Sequence, residues 1–133
     1  MEHPRKGITM HINFESQDPT VEFPGYVGRW NAVDGMHFSY EKCEAGSNID
    51  NLLTIYPDNA CPVPHWGYIF SGSVRVEFVD QPEEIYRAGD FFHVLPGHRP
   101  YMLEDTVLLQ ITEKEKFDGY MRDLAEAGLI PAP

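Results

Sequence analysis

From Tyr26 to Thr112 the chain never runs far before a turn signal stops it. Eleven glycines and eleven prolines fall among its 133 residues, and they cut this stretch into pieces that only short strands fill. YVGRWNAV (26–33) and MHFSYEKC (36–43) read as strands around Asp34-Gly35, a dipeptide that supplies the positive φ of a tight hairpin. NLLTIYP (51–57), HWGYIF (65–70), SVRVEFVD (73–80), EEIYRAGD (83–90), FFHVLPG (91–97), RPYMLE (99–104) and TVLLQIT (106–112) continue the series. In SVRVEFVD, Val74, Val76 and Phe78 face one way and Arg75 and Glu77 the other, the mark of a half-buried strand.

After residue 112 the period changes. Phe117, Tyr120, Met121 and Leu124 recur at helical spacing. Thr112 and Glu115 are spaced as a capping box at its start, and Gly128 and Pro131 mark its end. Before residue 26, Pro4, Pro19 and Pro24 break the sequence into an arm with one short strand near ITMHINF (8–14). The expected architecture is all-β: an arm over 1–25, a small barrel or sandwich over 26–112, and a helix and tail over 113–133.

The formal charge of −11 argues against a phosphate-binding surface of clustered Lys and Arg, and so against nucleic acid and anionic membranes as partners. It favours a neutral or cationic ligand over an anionic one. No apolar run reaches membrane-spanning length, and MEHPRKGITM lacks the apolar stretch of a secretory leader. A reducing, cytoplasmic setting follows as the expectation, with Cys43 and Cys61 as free thiols and a Cys43–Cys61 bridge as the alternative.

Residues 55–112 resemble the cupin family. Its first motif runs G-x5-H-x-H-x3/4-E-x6-G, and Gly72 fits its end within GYIFSG; Gly89-Asp90 opens the second, G-x5-P-x-G-x2-H, and Leu95-Pro96-Gly97 fits its turn. The resemblance implies a cupin-type jelly-roll barrel with a C-terminal helix. The four usual ligand positions fall here on Asn59, Cys61, His65 and Pro100, so the usual His-x-His, Glu and His set is absent from its usual places. The chain is similar to small single-domain cupins that lack this set. Family members commonly pair as dimers, so the resemblance also implies a homodimer.

If residues 61–65 are extended, Cys61, Val63 and His65 point together and Pro62 and Pro64 point away. The resemblance places the His65 face inside the barrel and His98 beside it. One thiolate and two imidazoles suit Zn²⁺, or Mn, Ni or Fe, with a further position open. The residues leave other readings open: His65 as a satisfied core histidine, Cys61 as a small buried apolar residue, His98 as an exposed turn residue. Without a metal, His65 with Tyr68 or His98 would serve as an acid–base pair. Trp30, Phe38, Tyr40 and Tyr101 are the candidate walls of a ligand cavity. On alternation His37, Ser39 and Glu41 share a face expected to be outward, and Met36, Phe38 and Tyr40 share the inward one. His93 is expected to be packed or solvent-facing, with a place as a fourth ligand as the alternative.

The resulting expectation is a pocket for a small organic molecule centred on His65. Three functions fit it: a metal-assisted enzyme, a metal-free enzyme catalysing isomerisation, dehydration or hydrolysis, and a non-catalytic sensor or carrier.

Overall fold

A computed structural model describes residues 9–131. Nine strands form two sheets, and one helix follows. The strands are β1 (Val21–Phe23), β2 (Tyr26–Val33), β3 (Met36–Cys43), β4 (His65–Ser71), β5 (Ser73–Phe78), β6 (Glu84–Arg87), β7 (Phe91–Val94), β8 (His98–Met102) and β9 (Thr106–Glu113), and the helix is α1 (Lys114–Glu126). The larger sheet has the order β1-β2-β3-β9-β4-β7 and the smaller β6-β5-β8, with every pairing antiparallel. The two sheets close over a core that includes Ile69, Val74, Val76, Phe92, Val94 and Leu108. Among the described residues no helix is long and apolar enough to cross a membrane.

Turn chemistry places the strands. Asp34 and Gly35 take φ of 55° and 80° at the β2–β3 hairpin, as that dipeptide predicts. Gly72, φ 88°, carries the chain from β4 in one sheet to β5 in the other. A Cβ there would meet the Asp105 carbonyl and lie 2.7 Å from the Thr106 Cα, so the position needs both the left-handed conformation and the missing side chain.

Register across the larger sheet stacks inward side chains in rows. His37 pairs with Thr112, Ser39 with Gln110, and Glu41 with Leu108. Gly67 pairs with Gln110, and Ile69 with Leu108. The three rows are therefore His37–Thr112–His65, Ser39–Gln110–Gly67 and Glu41–Leu108–Ile69, with the His65–Thr112 contact closing the first.

Four expectations change. β3 is reversed: His37, Ser39, Glu41 and Cys43 are buried, while Met36, Phe38 and Tyr40 lie on the outer face. The arm covers that outer face. Phe14 stacks on Tyr40 at 4.8 Å, Tyr40 donates to Glu15 at 2.6 Å, and Asn31 donates to Gln17 at 2.9 Å. Second, NLLTIYP is not a strand. Local i→i+3 bonds fold it into tight turns, and Leu53 drops into a second cluster with Cys61 and Val63. Third, the arm's strand is β1, not residues 8–14. Residues 9–13 have no regular structure, Phe14–Ser16 form a 3₁₀ turn capped by Asn13, and Ile8 lies outside the described residues. Fourth, Thr112 does not cap α1. The preceding residue is Glu113, without a side-chain cap bond, because Thr112 is the last inward residue of β9 and its hydroxyl is bonded to His65. The helix is anchored by Leu124, fully buried, and Gly128 follows its end at φ 75°.

Candidate functional site

A cavity of about 510 Å³ lies between the sheets, with α1 across one end. Two groups of polar side chains line it.

The first group sits at the His37–Thr112–His65 row. Cys61 is not in a strand, but two backbone bonds fasten it to β8: Cys61 N–H donates to the His98 carbonyl, and Gly97 N–H to the Cys61 carbonyl, both at 2.8 Å. This clip brings Cys61 Sγ to 3.7 Å from His65 Nε2. His98, only 4% exposed, opens β8, and its ring lies 5.2 Å from that of His65. One ligating atom from each of the three lies within 4.8 Å of the others. His98 Nδ1 is 2.7 Å from the Leu95 carbonyl, an acceptor, which fixes Nδ1 as the protonated nitrogen and leaves the Nε2 lone pair free. His65 Nδ1 is 2.8 Å from Thr112 Oγ1, which orients Nε2 toward Cys61. His98 stands two residues before Pro100, the family's histidine position. Residues i and i+2 of a strand share a face, and both line the cavity.

Burial sets the charge of this group. It lowers His65 to about 3, helped by the neighbouring His98 and His37. It lowers His98 too, against the pull of the Leu95 carbonyl. It raises the Cys61 thiol to about 11, against a backbone hydrogen bond with Val63. The imidazoles are neutral, the state in which they ligate metal. An imidazole held this far below neutrality is also a weak proton acceptor on its own.

The second group is centred on Glu41. Tyr26 OH donates to Glu41 Oε2, and Gln110 Nε2 to Oε1 at 2.6 Å. Burial raises the Glu41 pKa, opposed by bonds from Tyr26 and Gln110 and by the nearby Ser39 hydroxyl. The Ser39 oxygen has no partner in good hydrogen-bond geometry, and neither ring nitrogen of His37 has one. Gly28 stands opposite Glu41 on β2. A Cβ there would lie 2.7 Å from both Tyr26 Oη and Trp30 Nε1, so glycine lets these two side chains close over it. Trp30 Nε1 donates to Tyr26 Oη at 3.2 Å.

No family model and no curated protein matches this sequence. Solved structures do. KdgF from a Halomonas species is 18% identical and superposes over 84% of this chain and 99% of its own, with a TM-score of 0.62. An RmlC-like cupin from Shewanella frigidimarina is 17% identical over 84% of this chain and 96% of its own, TM-score 0.61. Ectoine synthase from P. lautus is 10% identical over 80% and 78%, TM-score 0.60. The chain has the cupin fold. Bacillus subtilis oxalate decarboxylase, which carries Mn(II) centres, is also similar: 19% identity over 85% of this chain and 32% of its own, TM-score 0.57.

The cupin barrel brings together Cys61, His65 and His98, and it places Trp30 in the cavity wall. Four expected site residues lie elsewhere. Tyr68 is on the outer face of β4 against Phe70, because His65, Gly67 and Ile69 take the inward positions. Phe38 and Tyr40 are outward on β3, as described. Tyr101 points away from the cavity beneath the Arg75 guanidinium, whose carbon is 4.7 Å from the ring centre. His93 stacks on Trp66, also on the outer side of β4 and β7. Cys43 and Cys61 are both free thiols. Sequence reasoning missed Glu41, Gln110, Ser39, Tyr26 and Thr112 as cavity groups. A polar residue inside the apolar run TVLLQIT was the available signal.

His37 makes stability depend on pH. Burial, aided by Lys114 and opposed by Asp118, lowers it to about 4 from an ordinary value of 6.5. The unfolded chain takes up a proton below pH 6.5 that the folded one refuses until about 4, so stability is present above 6.5 and lost as pH falls toward 4. Urea unfolding at pH 7 and pH 5 is expected to differ by about 1–2 kcal/mol from this group, and His37→Phe should remove that share.

Proposed function

We propose that this cupin-fold protein is an enzyme that acts on a small organic molecule in its cavity, beside a divalent metal ion held by Cys61, His65 and His98. The observation that carries the reading is the convergence of three ligating atoms, two of them on rings whose far sides are already anchored. The 3.7 Å between Cys61 Sγ and His65 Nε2 suits tetrahedral ligation with metal–sulfur and metal–nitrogen bonds of about 2.3 and 2.0 Å. The Leu95 carbonyl and Thr112 hydroxyl hold the two rings as outer partners of metal-bound histidines do. A thiolate with two imidazoles selects Zn²⁺ or another transition metal over Mg²⁺ or Ca²⁺.

When bound, such an ion supplies Lewis acidity to a group placed against it. The protein's own residues do the rest. All three ligands line the cavity, so a molecule inside it lies beside them. With His65 Nε2 turned to Cys61, Nδ1–H donates to Thr112 and the ring is locked. The walls beside it, among them Val74, Val76, Phe92 and Val94, are apolar. Ectoine synthase and oxalate decarboxylase, both enzymes by name, use the same fold, which supports the catalytic reading by analogy.

The test is metal analysis of protein purified without a polyhistidine tag. About one equivalent of a transition metal is expected, with a stability gain of about 2.7 kcal/mol when free metal is at 100 times its Kd. Protein that holds no metal after growth with Zn, Mn, Ni and Fe, and whose melting temperature none of these ions raises, would overturn the reading.

A further inference from the structure

We propose that the Glu41 end of the cavity binds the ammonium group of a small organic amine. This rests on the reading of the cavity as a small-molecule pocket and is independent of the metal. Glu41 is the single Asp, Glu, Lys or Arg among the described residues that line the cavity. Among those residues no Lys, Arg or His forms an ion pair with it. A buried carboxyl with no counter-charge is unfavourable unless something compensates it. Tyr26 and Gln110 compensate in part, with the Ser39 hydroxyl near them, and together they take up two to three of roughly four acceptor sites on the carboxylate. The rest are left for a donor that the protein itself does not provide.

The surroundings fit a cation that donates hydrogen bonds. The Tyr26 and Trp30 side chains close over Gly28 beside the carboxyl and wall that side of it. Ser39, 5% exposed, sits one row along the same face with its hydroxyl near the carboxyl. His37, 4% exposed, lies one row beyond with both ring nitrogens unpartnered. An anionic ligand meets the opposite: no cation in the walls, and a net charge of −11 around them.

The test uses three probes of one shape: benzylammonium, benzyl alcohol and benzoate. Calorimetry on the wild type, Glu41→Gln and His98→Ala reads their affinities, and metal content is measured on each. Benzylammonium is expected to bind the wild type at least about 10-fold tighter than benzyl alcohol, as a charge-assisted hydrogen bond allows, and benzoate more weakly than either. The preference should disappear in Glu41→Gln, with metal content unchanged, and persist in His98→Ala. Should Glu41→Gln fail to fold, Ser39→Ala is expected to weaken benzylammonium several-fold and leave benzyl alcohol unchanged. Equal affinities in the wild type, no benzylammonium binding, or a preference that survives Glu41→Gln overturns the proposal. A preference lost in His98→Ala and kept in Glu41→Gln would also overturn it, by placing the amine at the Cys61–His65–His98 group.

Discussion

Replacing His98 by alanine is expected to weaken binding of a transition metal by more than about 100-fold, beyond the 10–100-fold that loss of an outer partner costs. The reason is local. His98 Nε2 is one of three ligating atoms, and its Nδ1 is committed to Leu95, so no rotation of another side chain replaces it. Two ligands remain, His65 and Cys61, and the thiol must also give up a proton that burial holds to about 11. Thr112→Val makes the contrast. It keeps every ligand and removes only the oxygen 2.8 Å from His65 Nδ1, so the loss should fall between 10- and 100-fold. Competition with a chromogenic chelator measures both, and circular dichroism shows that each variant is folded. Equal affinities in wild type, His98→Ala and Thr112→Val would remove this cluster from any account of the protein's chemistry.

The largest stability effect is expected at Gly72. Alanine there adopts a φ of 88° at a cost of about 1–2 kcal/mol. Its methyl group also runs into the Asp105 carbonyl and the Thr106 Cα, which are backbone and cannot swing aside. Overpacking of that kind adds about 1–3 kcal/mol. The sum, near 3 kcal/mol, lowers the melting temperature by roughly 10 °C in a domain of this size. Gly35→Ala is the control: φ is 80°, but nothing lies within 4 Å of the added carbon, so only the backbone share is lost. Chemical unfolding of the two variants separates the terms. Equal losses would mean that the close approach at Gly72 is relieved by movement of the β9 entry.

Much of the architecture is legible in the sequence, because turn residues and strand period act locally. The Asp34-Gly35 hairpin, the Val74–Val76 alternation and the helical recurrence of Phe117, Tyr120 and Leu124 all appear where those rules put them. The inward side of β3 is not legible. Alternation identifies two faces and says nothing about which is enclosed. Here the enclosed face is polar, and the aromatic face is outside because residues 14–17 lie across it. NLLTIYP failed for a related reason: its apolar residues serve a separate small cluster reached by turns, which leaves no strand period to read. The convergence of Cys61 and His98 depends on a backbone clip between residues 37 apart in sequence, and no local pattern encodes it.

The register of β3, β9 and β4 also works as a measuring stick. Glu41 and His65 belong to rows two steps apart, four residues or roughly 14 Å along the strand axis at about 3.4 Å per residue. A compact metabolite the size of a single amino acid touches one end or the other. A molecule that reached both would have to be elongated, so the register of the sheet sets a length scale for any occupant.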